Sequence, residues 1–263
     1  MSRDFSGQVA WITGGGSGIG RATALELGRR GASVAVSGRR TDRLAAVVGE
    51  LEAAGAEALA VACDVCAEDQ IEAAVQAVVD HFGKLDVAVA SAGFSVAGKV
   101  ADLKAADWRL QLDTNVIGAA LTARHALPHL RKTGGRIGLI GSVVSFLCQP
   151  KLGAYSASKF ALRAIGQTLA LELHGTGVSC TTIHPGFVDS EIAKVDNAGQ
   201  FDPTRTDRRP QKLMWSADQA AVEIVKALHK RKRELVFSAH GKVGAFFGQH
   251  LPGLAHLVMT RGK

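Results

Sequence analysis

Short apolar runs alternate with longer segments of helical period along nearly the whole chain. The runs that read as strands are VAWI from Val9, SVAVS from Ser33, EALAVA from Glu57, VAVA from Val87, RIGLI from Arg136, VSCTTI from Val178 and ELVF from Glu234. Between them lie amphipathic or wholly apolar segments of helical length, beginning near Gly18, Thr41, Glu68, Trp108, Ala154 and Asp218. Strand, helix, strand repeated in this way predicts parallel pairing through right-handed crossovers, with helices on both faces of the sheet. The expected fold class is therefore α/β, a doubly wound parallel sheet of about seven strands. No linker, repeat or low-complexity tract interrupts the pattern, so residues 1–263 read as one domain.

The pattern lapses over 187–216, FVDSEIAKVDNAGQFDPTRTDRRPQKLMWS, which is polar, contains proline and follows the sixth strand. Long loops in compact domains are functional or disordered, and ligands bind at strand carboxyl ends in such sheets. The segment reads as a substrate-side lid in preference to plain disorder.

Composition bounds the picture without changing it. A chain of 263 residues, 47% hydrophobic and 21% charged, buries a sizeable core without disulfides or metals, and no metal site is expected. The first strand begins within ten residues of Met1, which leaves no room for a signal peptide. No apolar run reaches the ~18 residues of a membrane span, so a soluble cytoplasmic protein is expected. Four cysteines without a secretion signal read as reduced thiols. Cys63 and Cys66 form a C-x-x-C, but Cys148 and Cys180 stand alone, so packing at a strand end is preferred over redox chemistry. The net charge of +7 raises nucleic acid as a partner. Aromatics are only 5%, however, and no basic segment is interleaved with them. The basic cluster KALHKRKREL, 226–235, ends a helical segment, where cations complement the helix dipole. No nucleic acid is expected, and a basic surface also suits an anionic cofactor.

The first strand runs straight into TGGGSGIGRATALELGRRG. Gly14, Gly18 and Gly20 then lie between a strand and a helix. There they permit a tight turn, close backbone approach to a phosphate and close helix packing. A diphosphate would sit on the helix N-terminus. The spacing is G-x-x-x-G-x-G; counting G-x-G-x-x-G from Gly14 or Gly16 puts Ile19 or Arg21 at the last glycine. An NAD site wants a carboxylate after the second strand to hold the ribose 2′-hydroxyl. Here the strand ends in Ser37, Gly38, Arg39 and Arg40, with Asp42 as the nearest acid. A guanidinium there grips a 2′-phosphate through charge-assisted bonds, so NADP(H) is expected over NAD(H).

These residues resemble the short-chain dehydrogenase/reductase (SDR) family over essentially the whole chain. The motifs, in order, are TGGGSGIG at 13–20, CDV at 63–65, SAG at 91–93, DTNVIGA at 113–119, GSVVS at 141–145, YSASK at 155–159 and HPG at 184–186. The resemblance implies a single Rossmann-like domain, with Gly14, Ser17, Gly18, Ile19 and Gly20 in the cofactor turn. It also implies that Asp64 and Val65 embrace the adenine and that Ser91, Ala92 and Gly93 line the cofactor cleft. The family usually has Asn where Ser91 stands, which bears on how the central strand is held. Pro185, Gly186, Val188 and Ser190 match the segment that closes over the nicotinamide, with Ser190 in place of a more usual threonine. Asn115 matches an asparagine that holds a water in a proton relay, Ser142 the catalytic serine, and Tyr155 with Lys159 the catalytic pair.

Tyr155 is the only tyrosine in the chain and stands four residues before Lys159, on one face if the segment is helical. A hydride delivered to a ketone leaves an alkoxide that needs a proton, and a phenol is suited as that acid. Acting as a base near neutrality requires its pKa near 10 to fall by about 2–3 units. Lys159 and an oxidised nicotinamide would both favour phenolate. Lys159 also suits the cofactor ribose, and Ser142 would donate to the substrate oxygen as charge develops.

The expected activity is an NADP(H)-dependent carbonyl reductase or alcohol dehydrogenase. The rivals are an NAD-dependent dehydrogenase of the same fold and a nicotinamide-binding redox sensor without turnover. The C-terminal extension, 240–263, resembles branches acting on lipid, steroid or other bulky hydrophobic carbonyls. Its Val243, Phe246, Phe247, Leu251, Leu254, Leu257 and Val258 would form an apolar face interrupted by Pro252, and a pocket cover or subunit contact is preferred over a peripheral membrane contact. A homodimer or homotetramer through helices 108–130 and 154–174 is the family's usual assembly.

Overall fold

The computed structural model describes residues 4–260. Seven strands, β1 (Val9–Thr13), β2 (Ser33–Gly38), β3 (Ala58–Ala62), β4 (Val87–Ala90), β5 (Arg136–Ile140), β6 (Ser179–His184) and β7 (Glu234–Val236), form one sheet in the order β3-β2-β1-β4-β5-β6-β7. Every pairing is parallel. The strand pattern is thus borne out, with β3 and β6 each starting one residue later than the apolar run.

Successive residues of a strand point to opposite faces, and the two faces bury separate cores. Ala10, Ile12, Val34, Val36, Val87 and Val89 join the core on one side, and Val9, Trp11, Ala35, Ala88 and Ala90 the core on the other. The first core packs on α1 (Gly18–Arg29), α2 (Thr41–Ala53) and α7 (Ala217–His229). The second packs on α3 (Glu68–Phe82), α5 (Gly118–Thr133) and α6 (Gly153–Glu172). Trp11 is fully buried because its indole N–H finds the Ser37 hydroxyl at 3.0 Å.

The helix before α5 starts earlier than its apolar residues indicate. Asp107 accepts from the Lys104 backbone N–H (2.8 Å), which closes the first turn and sets α4 at Ala105–Leu112. Between α4 and α5 the backbone widens into one π turn, Asp113–Ile117, which carries Asn115. Gly134, at φ 60°, then stops α5 in a left-handed cap. After β7 the chain forms α8 (Ala239–His250) and α9 (Pro252–Thr260); the last three residues of the expected 240–263 extension lie outside the described residues.

Candidate active site

Sheet order reverses between β1 and β4, and the crevice outside that point is where such sheets take ligands. The turn after β1 makes its floor from bare backbone. Gly14 has φ +67°, and a β-carbon on it would lie 2.7 Å from the Ala92 backbone. Gly18 has φ +50° and opens α1, and a β-carbon on Gly20 would collide with the Gly14 carbonyl. The first turn of α1, whose N–H groups have no partner within the helix, lines the crevice, with Ser190 of the facing segment beside Gly18. Opposite, Thr13 Oγ1 accepts from the N–H groups of Ser91 (3.3 Å) and Ala92 (3.5 Å). This ties β1 to the segment after β4 where Ser91 replaces the family's asparagine.

The crevice is a cleft of about 600 Å³. Its lining includes Gly14, Ser17, Gly18, Ile19 and Gly20; Arg39 and Arg40; Asp64 and Val65; and Ser91, Ala92 and Gly93. Ser142, Tyr155, Lys159, Pro185, Gly186, Val188 and Ser190 line it as well. One expected residue, Asn115, stands behind the wall. Its Oδ1 accepts from Phe94 N–H (3.1 Å), and its Nδ2 donates to the Phe94 carbonyl (3.0 Å) and the Ser158 hydroxyl (3.1 Å). All of its polar atoms are therefore engaged by protein. The glycine floor at a helix N-terminus and the two cations Arg39 and Arg40 in the lining fit a dinucleotide.

At the other end Ser142, Tyr155 and Lys159 meet. The Ser142 hydroxyl oxygen accepts from Val144 N–H (3.3 Å), and its hydrogen is directed at the Tyr155 phenol. Lys159 is buried and donates to the Ile140 carbonyl at 2.7 Å; burial pulls its pKa down to about 8. Its ammonium lies 5.7 Å from the Tyr155 ring centroid. Burial pushes the Tyr155 phenol above the ordinary tyrosine value, while a hydrogen bond with Ser142 and then the charge of Arg209 pull it back down. Arg209 was not among the expected residues.

Segment 187–216 supplies what the sequence left hidden. Arg209 donates to the carbonyls of Val188 (2.9 Å) and Ser190 (3.1 Å) and is held by Asp207 at 2.7 Å. Glu191 accepts from Arg40 at 2.7 Å, and Arg39 donates to the Gly199 carbonyl at 3.1 Å. Asp42 is thus not the carboxylate closest to the arginine pair. The acid comes from 151 residues away, a separation that no local pattern reports. Asn197 likewise exchanges two hydrogen bonds with Ala97.

His184, in the HPG motif, carries no role in the sequence pattern. It is fully buried beneath the serine, with Nδ1 3.1 Å from the Ser142 carbonyl and Nε2 3.0 Å from Glu234 Oε1. Both nitrogens face oxygen atoms, which fixes the ring between the serine's backbone and β7. Cys63 is a buried free thiol pushed up to about 11 by burial, and Cys66 is free and exposed. None of residues 240–260 lines the cleft; α8 instead packs beside Val143, Phe146 and Leu147, just after the serine.

A family model described as short chain dehydrogenase matches residues 8–200. The 11-beta-hydroxysteroid dehydrogenase A of Arachis hypogaea is 36% identical over 196 residues, 74% of this chain and 56% of that protein. A short chain dehydrogenase/reductase from Burkholderia phymatum, solved in complex with NAD, is 30% identical with a TM-score of 0.80, covering 88% of this chain and 89% of that one. A short chain dehydrogenase from Burkholderia cenocepacia, solved in complex with NADP, is also 30% identical with a TM-score of 0.77, covering 88% and 94%.

Proposed function

Because the chain belongs to the short-chain dehydrogenase/reductase family and is one of its nicotinamide-dependent oxidoreductases, we propose that it interconverts a hydrophobic ketone or aldehyde with its alcohol, using NADP(H) in preference to NAD(H). The observation that carries the proposal is the convergence of Tyr155, Ser142 and Lys159 at one end of a cleft whose other end holds Arg39 and Arg40. The bound nicotinamide would supply or accept the hydride. Ser142, its hydroxyl oxygen held by Val144 N–H, turns its hydrogen from Tyr155 to the substrate oxygen as negative charge gathers there. Tyr155 gives that oxygen its proton in reduction and takes it back in oxidation. Lys159 would hold the cofactor ribose, and Asn115 fixes the Phe94 segment against α6 through Ser158.

Gly14 to Gly20 would receive the diphosphate, Asp64 and Val65 the adenine, and Ser91 to Gly93 with Pro185, Gly186, Val188 and Ser190 the nicotinamide half. Segment 187–216 is the lid over the substrate side. Phe94, Val188, Ile192 and Val195 in the cleft wall favour an apolar substrate, and the similarity to a hydroxysteroid dehydrogenase supports the same class. The exposed Ile117, Phe160 and Leu171 beside or on α5 and α6 favour a homo-oligomer through those helices. No helix among the described residues is long and apolar enough to cross a membrane, and a cytoplasmic setting is part of this reading. Tyr155→Phe removes one hydroxyl and little packing. It should keep NADPH binding and lower kcat by ~10²–10⁴-fold in an assay of NADPH oxidation against ketones, aldehydes and quinones. A variant keeping more than about a tenth of wild-type kcat would sink the catalytic assignment.

A further inference from the structure

We infer that Glu191 is a specificity-determining residue that withholds Arg40 from the cofactor's 2′-phosphate, so that seating of the lid and binding of that phosphate oppose each other. The inference rests on the proposed role of Arg39 and Arg40 and goes beyond it. Both arginines are already occupied by the lid. Arg40 Nη2 donates to Glu191 Oε2 at 2.7 Å and to the Ser17 hydroxyl, in the glycine turn, at 3.0 Å. Its guanidinium also lies 5.5 Å from the centroid of the Phe201 ring, and Arg39 donates to the Gly199 carbonyl at 3.1 Å. Three lid residues thus converge on two neighbouring cations, across more than 150 positions of sequence. No other carboxylate pairs with Arg40 among the described residues.

A carboxylate and a phosphate make the same demand on a guanidinium, a pair of charge-assisted bonds to its planar fork. They also repel each other at close range. Glu191 therefore acts in two ways on an incoming 2′-phosphate: it occupies the donor and it adds like charge. NADH, which ends in a hydroxyl at that position, meets neither effect. The lid accordingly discriminates against the phosphorylated cofactor while it is seated, and the arginines discriminate in favour of it once the lid lifts. Specificity is set by the balance between the two.

The test uses the full chain and its Glu191→Gln variant, which keeps the shape and removes the charge. Dissociation constants are measured for NADPH, NADH, adenosine 2′,5′-bisphosphate and ADP. The last two carry no nicotinamide, so they report on the arginine end alone. Glu191→Gln should tighten NADPH and the bisphosphate by about 3- to 10-fold, with NADH and ADP changed less than about twofold. Amide hydrogen exchange over 191–201 in the wild type should be faster with the bisphosphate than with ADP. Unchanged or weaker binding of the two 2′-phosphate ligands by the variant overturns the inference, as does equal exchange in both complexes. If the wild type prefers NADH while the variant gains only on 2′-phosphate ligands, the NADP(H) preference fails and the role of Glu191 stands. If the wild type prefers NADPH and the variant matches it on every ligand, the reverse holds.

Discussion

Lys159 keeps its ammonium against the Ile140 carbonyl, 2.7 Å away, in surroundings that pull its pKa down to about 8 from the ordinary lysine value of 10.5. Below about pH 8 the lysine carries its proton in the folded and the unfolded chain alike, and burying that charge is a standing penalty. Between about 8 and 10.5 the unfolded chain binds the extra proton, so stability rises with pH across that window. Under the proposed role the charge is carried for chemistry at a cost in stability, and this sets a sharp expectation for Lys159→Met. The variant loses the hydrogen bond to Ile140 but also loses the buried charge. It should be about 1–2 kcal/mol more stable at pH 7, a Tm rise of ~2–6 °C, while turnover falls by ~10²-fold or more. Its advantage should shrink between pH 8 and 10 as the wild type sheds its proton. A variant that melts below the wild type at pH 7, or a gap that ignores pH, would show that the ammonium is not held at a penalty.

One element up, β7 is only three residues long, yet it anchors the ground beneath the serine. Glu234 at its start accepts from His184 at the end of β6 (3.0 Å) and from Arg163 on α6 (2.8 Å). The Arg163 guanidinium lies 4.0 Å from the Phe146 ring centroid, in the segment that follows Ser142. Two strands and a helix are thus pinned through one carboxylate, whose pKa is held down to about 2, first by the hydrogen bond from His184 and then by that from Arg163. A depressed carboxylate stabilises the fold above its unfolded pKa, and that contribution is lost as pH falls toward the folded value. Glu234 is one-third exposed, so after solvent screening the effect amounts to about 1–2 kcal/mol. Glu234→Gln should be less stable than the wild type by that amount in urea unfolding at pH 7. The gap should begin to close below about pH 4.5 and approach zero near pH 2. A gap that is constant from pH 7 to pH 4 would remove Glu234 from the ionic account.

Across the whole molecule, what the sequence announced is what neighbouring residues determine. Seven apolar runs named seven strands, and Gly14, Gly18 and Gly20 announced a turn that only glycine backbones fit. Tyr155 and Lys159 declared themselves by a four-residue spacing. Glu191, Phe201 and Arg209 declared nothing, because their partners lie across the fold and an irregular segment carries no period to place them. The C-terminal helices show the same division. Of the seven apolar residues expected to form a face there, Val243, Phe246, Leu251, Leu254, Leu257 and Val258 are exposed and Phe247 is half-buried, but the sequence did not say which part the fold depends on. α8 is bound in: His240 accepts from Phe187 N–H at 3.1 Å, and a β-carbon on Gly248 would collide with the Phe146 carbonyl. α9 buries only Ala255. Ending the chain after His250 should therefore leave NADPH affinity and kcat within about twofold and Tm within ~2–4 °C, since less than about 1 kcal/mol of packing is removed. Ending it after Ser238 removes the partner of Phe187 N–H, at the root of the lid, and the helix beside Val143. That variant should raise KM for the carbonyl substrate at least tenfold, while NADPH affinity changes less. NADPH titration, steady-state kinetics and sizing chromatography on the two truncations separate the outcomes. A loss of NADPH affinity in the shorter cut would tie α9 to the cofactor cleft, and an unchanged KM in the longer one would free the substrate site from α8.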